Sequence, residues 1–190
     1  MSNQFSELSS DCGFIEVITG PMFSGKTEEL IKKLKTYQGN GKKVICIKPA
    51  IDDRYHKTQI VSHDKTTFEA LALDNVGEIT QISSENDVIG IDEAQFFHES
   101  IANEVAKLAN SGKKVVISGL NLDYKGNPFS TLANLMALAE KVIIKQGVCS
   151  NCGDISTHTV RKKDLSPDRI VIGGSELYEP HCRKCFSLRQ

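Results

Sequence analysis

Gly20-Pro21-Met22-Phe23-Ser24-Gly25-Lys26-Thr27 is the stretch on which the reading of this chain turns. Its spacing is G-x-x-x-x-G-K-[ST]. A short apolar, β-branched run, Phe14-Ile15-Glu16-Val17-Ile18, precedes it, and a helical pattern with Leu30, Ile31 and Leu34 on one face follows it. Strand, glycine-rich loop and helix form the setting in which this spacing binds phosphate. The glycines let the backbone curl so that successive N–H groups face an anion, and the helix N-terminus adds partial positive charge. Lys26 is placed to reach the β- and γ-phosphates, and the Thr27 hydroxyl to ligate Mg²⁺. The four fixed positions would arise by chance in such a chain on the order of one time in a hundred. The eight residues from Gly20 to Thr27 are therefore expected to bind the phosphates of a nucleoside triphosphate.

Outward from the loop, strands and helices alternate. Val44-Ile45-Cys46-Ile47 predicts a second strand, whereas Lys48 to His63 is polar, has no helical period and predicts a functional loop. Val88-Ile89-Gly90-Ile91-Asp92 predicts a third strand. Ile101, Val105 and Leu108 predict a helix closed at Gly112, and Val115-Val116-Ile117-Ser118 another strand. Leu132, Leu135, Met136 and Ala139 predict a further helix, and Val142-Ile143-Ile144 a further strand. Nearly continuous apolar strands of this kind belong to parallel sheets buried on both faces, so the expected fold class is α/β with a mostly parallel sheet. The pattern changes near Gly147. The expected organisation is a flexible N-terminus over 1–12, a nucleotide-binding domain over 13–146 and a small zinc-binding domain over 147–190.

Lys+Arg is 23 and Asp+Glu 24, for a net charge of −1, which leaves no global electrostatic footprint for DNA or an anionic membrane. The hydrophobic fraction of 39% fits a globular chain rather than a disordered one. No stretch reads as a membrane span, and the polar N-terminus does not read as a signal peptide, so a cytoplasmic protein is expected.

Two further features carry chemistry. Ile89-Gly90-Ile91 ends in Asp92 and Glu93. An aspartate at such a strand end holds Mg²⁺, and a second carboxylate beside it can activate a nucleophile, either water or a substrate hydroxyl. A guanine-reading N-K-x-D sequence is absent downstream, which argues against a GTPase. Cys149-x-x-Cys152 and Cys182-x-x-Cys185 have the spacing of a four-thiolate zinc ribbon, a closed site without a catalytic position. His181 adjoins Cys182 but is not expected to be a ligand. Cys12 and Cys46 are expected to be small buried hydrophobes. The ribbon ties the ends of a loop from Gly153 to His181, which could close over a ligand. The same loop carries Arg161, Lys162, Lys163 and Arg169, so on the residues alone it could equally touch nucleic acid.

Taken in order, these pieces resemble the type II thymidine kinases, over about Gly13 to Cys185. The marks are the loop itself, Asp53-Arg54-Tyr55, Ser62-His63-Asp64, Ile91-Asp92-Glu93-Ala94-Gln95-Phe96-Phe97, Pro128-Phe129, the four cysteines, and Val171-Ile172-Gly173-Gly174 with Tyr178. The resemblance implies a RecA-like core and a zinc-tied "lasso" covering the nucleoside. It implies transfer of the ATP γ-phosphate to the 5′-hydroxyl of thymidine, with deoxyuridine as a further acceptor. Glu93 would be the general base, Arg54 and Lys26 the cations at the transferring phosphate, and Asp92 and Thr27 the Mg²⁺ residues. Met22, Phe96, Leu120, Tyr124, Phe129, Thr159 and Tyr178 would line the nucleoside pocket, with Val171, Ile172 and Gly173 as backbone readers of the base. It also implies a homotetramer and feedback inhibition by dTTP, while the near-neutral charge leads to the expectation of no nucleic-acid or membrane partner. From pattern alone, Met22, Phe96, Leu120 and Phe129 would be core residues. Two rival readings of the motifs are a P-loop ATPase acting on nucleic acid and a non-catalytic nucleotide-binding module.

Overall fold

The structure, a computed structural model, describes residues 12–52, 58–62, 64–162, 169 and 171–189. The chain enters on β1 (Phe14–Thr19), turns through the glycine-rich loop into α1 (Lys26–Gly39) and returns as β2 (Val44–Pro49). β3 (Gln59–Val61) and β4 (Thr67–Glu69) pair antiparallel as a small separate ribbon. β5 (Leu71–Leu73) and the single-turn α2 (Ile79–Ile82) lead to β6 (Val88–Ile91), α3 (Ile101–Asn110), β7 (Lys114–Gly119), α4 (Ser130–Leu138) and β8 (Lys141–Ile144). The C-terminal unit holds two antiparallel pairs, β9 (Gly147–Val148) with β10 (Ile155–Ser156) and β11 (His158–Arg161) with β12 (Tyr178–His181), and closes on α5 (Arg183–Ser187).

Six strands form one sheet in the order β5-β2-β6-β7-β1-β8, every pair parallel. The expected α/β class is the one observed. Residue alternation along each strand splits the core in two. Ile18, Cys46, Val88 and Val116 face Leu30, Ile31 and Leu34 of α1. Val17, Ile47, Ile89 and Ile117 belong to the other cluster, with Ile101, Val105 and Leu108 of α3 and Leu132 and Leu135 of α4. Burying each such side chain contributes about 1.5–3 kcal/mol. Gly90 shows how closely α1 lies, since a Cβ there would come within 2.6 Å of Leu34 Cδ1.

Several expectations need correction. β8 is an edge strand and is not buried on both faces: Val142 is 37% and Ile144 59% exposed. Lys48 belongs to β2, and Gln59–Val61 is a strand inside the expected functional loop. Three residues are too short to display a period, yet Ile60 is buried against the α1 cluster. β5, equally short, was not expected at all. Ala139 lies just past α4 with extended backbone. The stretch from Gly153 to His181 contains β10, β11 and β12 and is not a simple loop. Cys46 is buried as expected, but Cys12 is exposed.

A parallel sheet of this kind opens its ligand crevice beyond the carboxyl ends of its strands. That edge carries the glycine-rich loop after β1, Lys48 and Asp52 at and after the end of β2, Asp92 after β6, and Leu120 after β7.

Candidate active site

The loop is held in a conformation few sequences could adopt. Gly20 has φ of 143°, and a Cβ there would sit 2.2 Å from the Lys145 carbonyl oxygen, so any other residue is blocked both by backbone and by space. Phe23 has φ of 62°, a left-handed setting that costs a non-glycine residue about 1–3 kcal/mol and is maintained by its surroundings. Ser24 Oγ and Lys26 Nζ both donate to the Pro21 carbonyl, at 2.8 and 2.7 Å. Lys26 is buried, its ammonium folded onto the loop's own carbonyl. An incoming phosphate offers a charged acceptor in place of a neutral one, and hydrogen bonds to ionised partners are about twice as strong.

Asp92 faces the first turn of α1. Thr27 Oγ1 donates to its two carboxylate oxygens at 3.3 and 3.2 Å, and the Ser118 hydroxyl donates to Oδ1. Burial, and then the neighbouring charge of Glu93, push the Asp92 carboxyl up to about 7; Asp52 adds to the rise and the Ser118 bond opposes it. Glu93 has φ of 49° and ψ of 41°, a second non-glycine residue in the left-handed region. Its Oε2 accepts from Gln95 Nε2 at 2.5 Å, and Gln95 Oε1 accepts from the Leu120 amide at 2.9 Å. The carboxylate is thus aimed by the backbone and braced by a buried amide tied to the end of β7.

One cavity of 140 Å³ joins these groups. Its wall includes the loop residues Met22 to Thr27 together with Lys48, Asp52, Asp92 and Glu93. It also includes Phe96, Leu120, Tyr124 and Phe129 from the parallel-sheet part of the chain, and Thr159, Val171, Ile172, Gly173 and Tyr178 from the C-terminal unit. Every residue expected at the nucleoside end therefore lines a single space with the loop, Asp92 and Glu93. Gly20 and Pro21 shape the loop from outside the cavity wall. Arg54 lies outside the described residues, as do Asp53, Tyr55 and His63.

The C-terminal unit is tied to the loop directly: the Met22 amide donates to Thr159 Oγ1 at 2.9 Å. Tyr178 OH donates to the Val171 carbonyl at 2.6 Å, which fixes the start of the strap, the segment through which Val171, Ile172 and Gly173 line the cavity. Behind it, the sulfurs of Cys149, Cys152, Cys182 and Cys185 lie within 4.8 Å of one another, with Cys152 and Cys182 3.6 Å apart. Tetrahedral zinc with Zn–S of about 2.3 Å spaces its sulfurs at about 3.8 Å, so the four fit one ion. Asn151 Nδ2 donates to Cys185 Sγ at 3.2 Å, and the Cys185 amide to Cys182 Sγ at 3.4 Å, bonds that orient the two sulfurs. These cysteines can hold a metal ion. His181 is not among them; its Nε2 meets Glu179 Oε1 at 3.1 Å.

Sequence reasoning missed Lys48, Asp52 and Gln95 as site residues. Lys48 is almost wholly buried, and its ammonium donates to the Gln59 carbonyl at 3.1 Å. The available signal was its place: a lysine that closes an apolar strand at the edge where the loop sits. For Gln95, the signal was its spacing two residues beyond Glu93.

Fold and cavity define a class, an α/β protein whose candidate ligand site lies at the carboxyl edge of a parallel sheet. Sequence comparison gives the family. The family model described as thymidine kinase matches residues 13–186, and the chain belongs to the thymidine kinase family. It is accordingly a phosphotransferase of the kinase type, in a family whose substrates are ATP and thymidine.

Proposed function

We propose that the chain transfers the γ-phosphate of ATP to the 5′-hydroxyl of thymidine, giving ADP and dTMP, and accepts deoxyuridine as well. The observation that carries this reading is the single cavity lined by the glycine-rich loop, Asp92 and Glu93 and also by four apolar and aromatic side chains together with residues of the C-terminal unit.

The proposed roles follow from the geometry and the family resemblance. Transfer passes through a loose transition state, so positioning and charge placement dominate. Lys26 leaves the Pro21 carbonyl for the β- and γ-phosphates, which the loop residues from Gly20 to Thr27 surround. Arg54 supplies a second cation at the phosphate. Thr27 and Asp92, two oxygen donors already in contact, suit Mg²⁺, which would neutralise phosphate charge when bound. Glu93, braced by Gln95, accepts the 5′-hydroxyl proton and aligns that oxygen. Met22, Phe96, Leu120, Tyr124, Phe129 and Tyr178 enclose the nucleoside, Thr159 closes its edge, and the backbone of Val171, Ile172 and Gly173 reads the base. The four cysteines hold structural Zn²⁺. This reading includes the division into 1–12, 13–146 and 147–190, a cytoplasmic homotetramer, and feedback inhibition by dTTP.

The nucleic-acid alternative loses support from the basic residues that suggested it. Arg161 is buried against Tyr124, Lys162 Nζ donates to the Ser175 carbonyl at 2.6 Å, and Arg169 pairs with Asp123 at 2.8 Å. Lys163 lies outside the described residues. No helix among the described residues is long and apolar enough to cross a membrane. Labelled ATP incubated with thymidine, deoxyuridine, deoxycytidine or single-stranded DNA tests the proposal. Labelled dTMP is the expected product, and hydrolysis stimulated by DNA with no labelled nucleotide would overturn it.

A further inference from the structure

Arg161 has no place in the mechanism above, yet it is one of the few buried cations among the described residues, 9% exposed. It stands on β11 directly opposite Tyr178 on β12. Its guanidinium carbon lies 3.8 Å from the ring centroid of Tyr124 and 5.6 Å from that of Tyr178. Nη2 donates to Tyr178 OH at 3.2 Å, and that hydroxyl in turn donates to the Val171 carbonyl at 2.6 Å. Tyr124, Tyr178 and Val171 all line the cavity, whereas Arg161 opens on a separate groove beside Lys125 and Phe186. The guanidinium therefore backs the cavity wall.

The chemistry suits arginine specifically. A planar guanidinium stacks on a ring face while its edge donates in the same plane, which an ammonium cannot do. A hydroxyl that accepts from a cation is polarised and becomes the better donor to Val171. The opposite wall has its own cation, Arg169, whose guanidinium lies 4.7 Å from the Phe129 ring, but that side chain is 48% exposed. Stacking contributes more where water is excluded.

We propose that Arg161 is a positioning residue for the acceptor end of the site: it sets the Tyr124 and Tyr178 rings and, through the Tyr178 hydroxyl, the Val171 carbonyl, and so governs nucleoside affinity without touching either substrate. The inference rests on the reading of this cavity end as the nucleoside pocket.

The test uses the full zinc-loaded chain with Arg161→Met, Arg161→Lys, Tyr178→Phe and, as a separate probe of the pocket, Phe129→Ala. KM for thymidine, KM for ATP, kcat, zinc content and melting temperature are measured for each. Arg161→Met is expected to raise KM for thymidine about tenfold or more, with KM for ATP within about twofold and zinc content unchanged. Arg161→Lys recovers only part, since charge returns without the plane. Tyr178→Phe keeps the ring, loses the hydroxyl and reproduces part of the loss. An unchanged KM for thymidine in Arg161→Met, or equal rises for thymidine and ATP, overturns the inference. If Arg161→Met does not fold, Arg161→Lys and Tyr178→Phe decide, and the absence of any KM split in both overturns it. Phe129→Ala separates the two levels. A raised thymidine KM there with none in Arg161→Met sinks the positioning role alone. No rise there removes the pocket reading and the inference with it.

Discussion

Glu93 and Asp92 are neighbours in different environments, and the roles proposed for them draw on that difference. Glu93 is half-buried, on left-handed backbone, with one carboxylate oxygen braced by Gln95. Such backbone persists only where surrounding contacts enforce it, and here they aim a carboxylate into the cavity. Glu93→Gln keeps size and polarity but cannot accept a proton. Its kcat is expected to fall about 10²- to 10⁴-fold with KM for thymidine within a few-fold. Steady-state kinetics check this, and near-normal turnover would take the base role from Glu93. Asp92 is buried, its carboxyl raised first by desolvation and then by Glu93. A carboxyl whose folded value lies near 7 against 3.8 unfolded holds a proton in the native chain across that window. The sign follows: in the metal-free protein this group favours folding at the acid end, and its contribution is lost as pH rises towards 7. A cation between Thr27 and Asp92 requires the ionised form, so Mg·ATP binding at about pH 6 should release a proton from Asp92. Calorimetry in two buffers of unlike ionisation heat measures that release, after comparison with Asp92→Asn, which lacks it. Equal proton release by both proteins would show that Asp92 is not the source.

At the scale of elements, the join between the loop and β11 matters most. Thr159 Oγ1 accepts the Met22 amide at 2.9 Å, so the strand that leads into the strap is also a prop of the phosphate loop. Thr159→Val keeps the shape and leaves that amide without its acceptor, a loss of about 1–3 kcal/mol for a group shielded from water. The expected outcome is a rise of several-fold in KM for both ATP and thymidine, with Thr159→Ser close to the parent. Equal behaviour of Thr159→Val and the parent would mean that the two elements are not energetically joined. This contact also marks where reading from residues runs out. The long strands β1, β2, β6 and β7, the helices α1, α3 and α4, the loop and the cysteine pairs announce themselves, because period and spacing are local properties. Thr159 could be placed near the nucleoside only through family resemblance, and its bond to Met22 spans 137 positions. β3 and β5 are three residues each, below the length at which alternation is visible. Lys48 looked like the start of a polar loop because burial of a lysine depends on groups brought to it by the fold. Asp92 and Glu93 were legible as a pair, but the contrast between them in φ, burial and contact with Gln95 is something no run of letters contains.

On the scale of the whole molecule, the four cysteines gather at one point of the C-terminal unit, and the proposed reading makes them the anchor of the segment that helps to wall the cavity. Cys149 and Cys152 follow β9, while Cys182 caps α5 and Cys185 lies within it. Between the two pairs run β10, β11, the strap and β12, so an ion shared by the four sulfurs closes both ends of the segment that walls the cavity. Closing a segment at its base lowers the entropy lost when it orders over a ligand. The sheet domain has its own two-sided core and does not depend on the cysteines for packing. Removing the ion should therefore act unequally. Chelation at neutral pH is expected to weaken thymidine binding by about tenfold or more, with a smaller loss for ATP, because the disturbance reaches the loop indirectly, through contacts such as the Met22–Thr159 bond. Cysteine accessibility to a thiol reagent should rise by four per chain over the zinc-loaded protein, while far-ultraviolet dichroism changes little, since α1, α3 and α4 lie outside the tied unit. Re-addition of zinc should restore thymidine binding. Equal loss of ATP and thymidine binding together with loss of helical signal would make the metal a condition of folding for the entire chain, not the anchor of the strap.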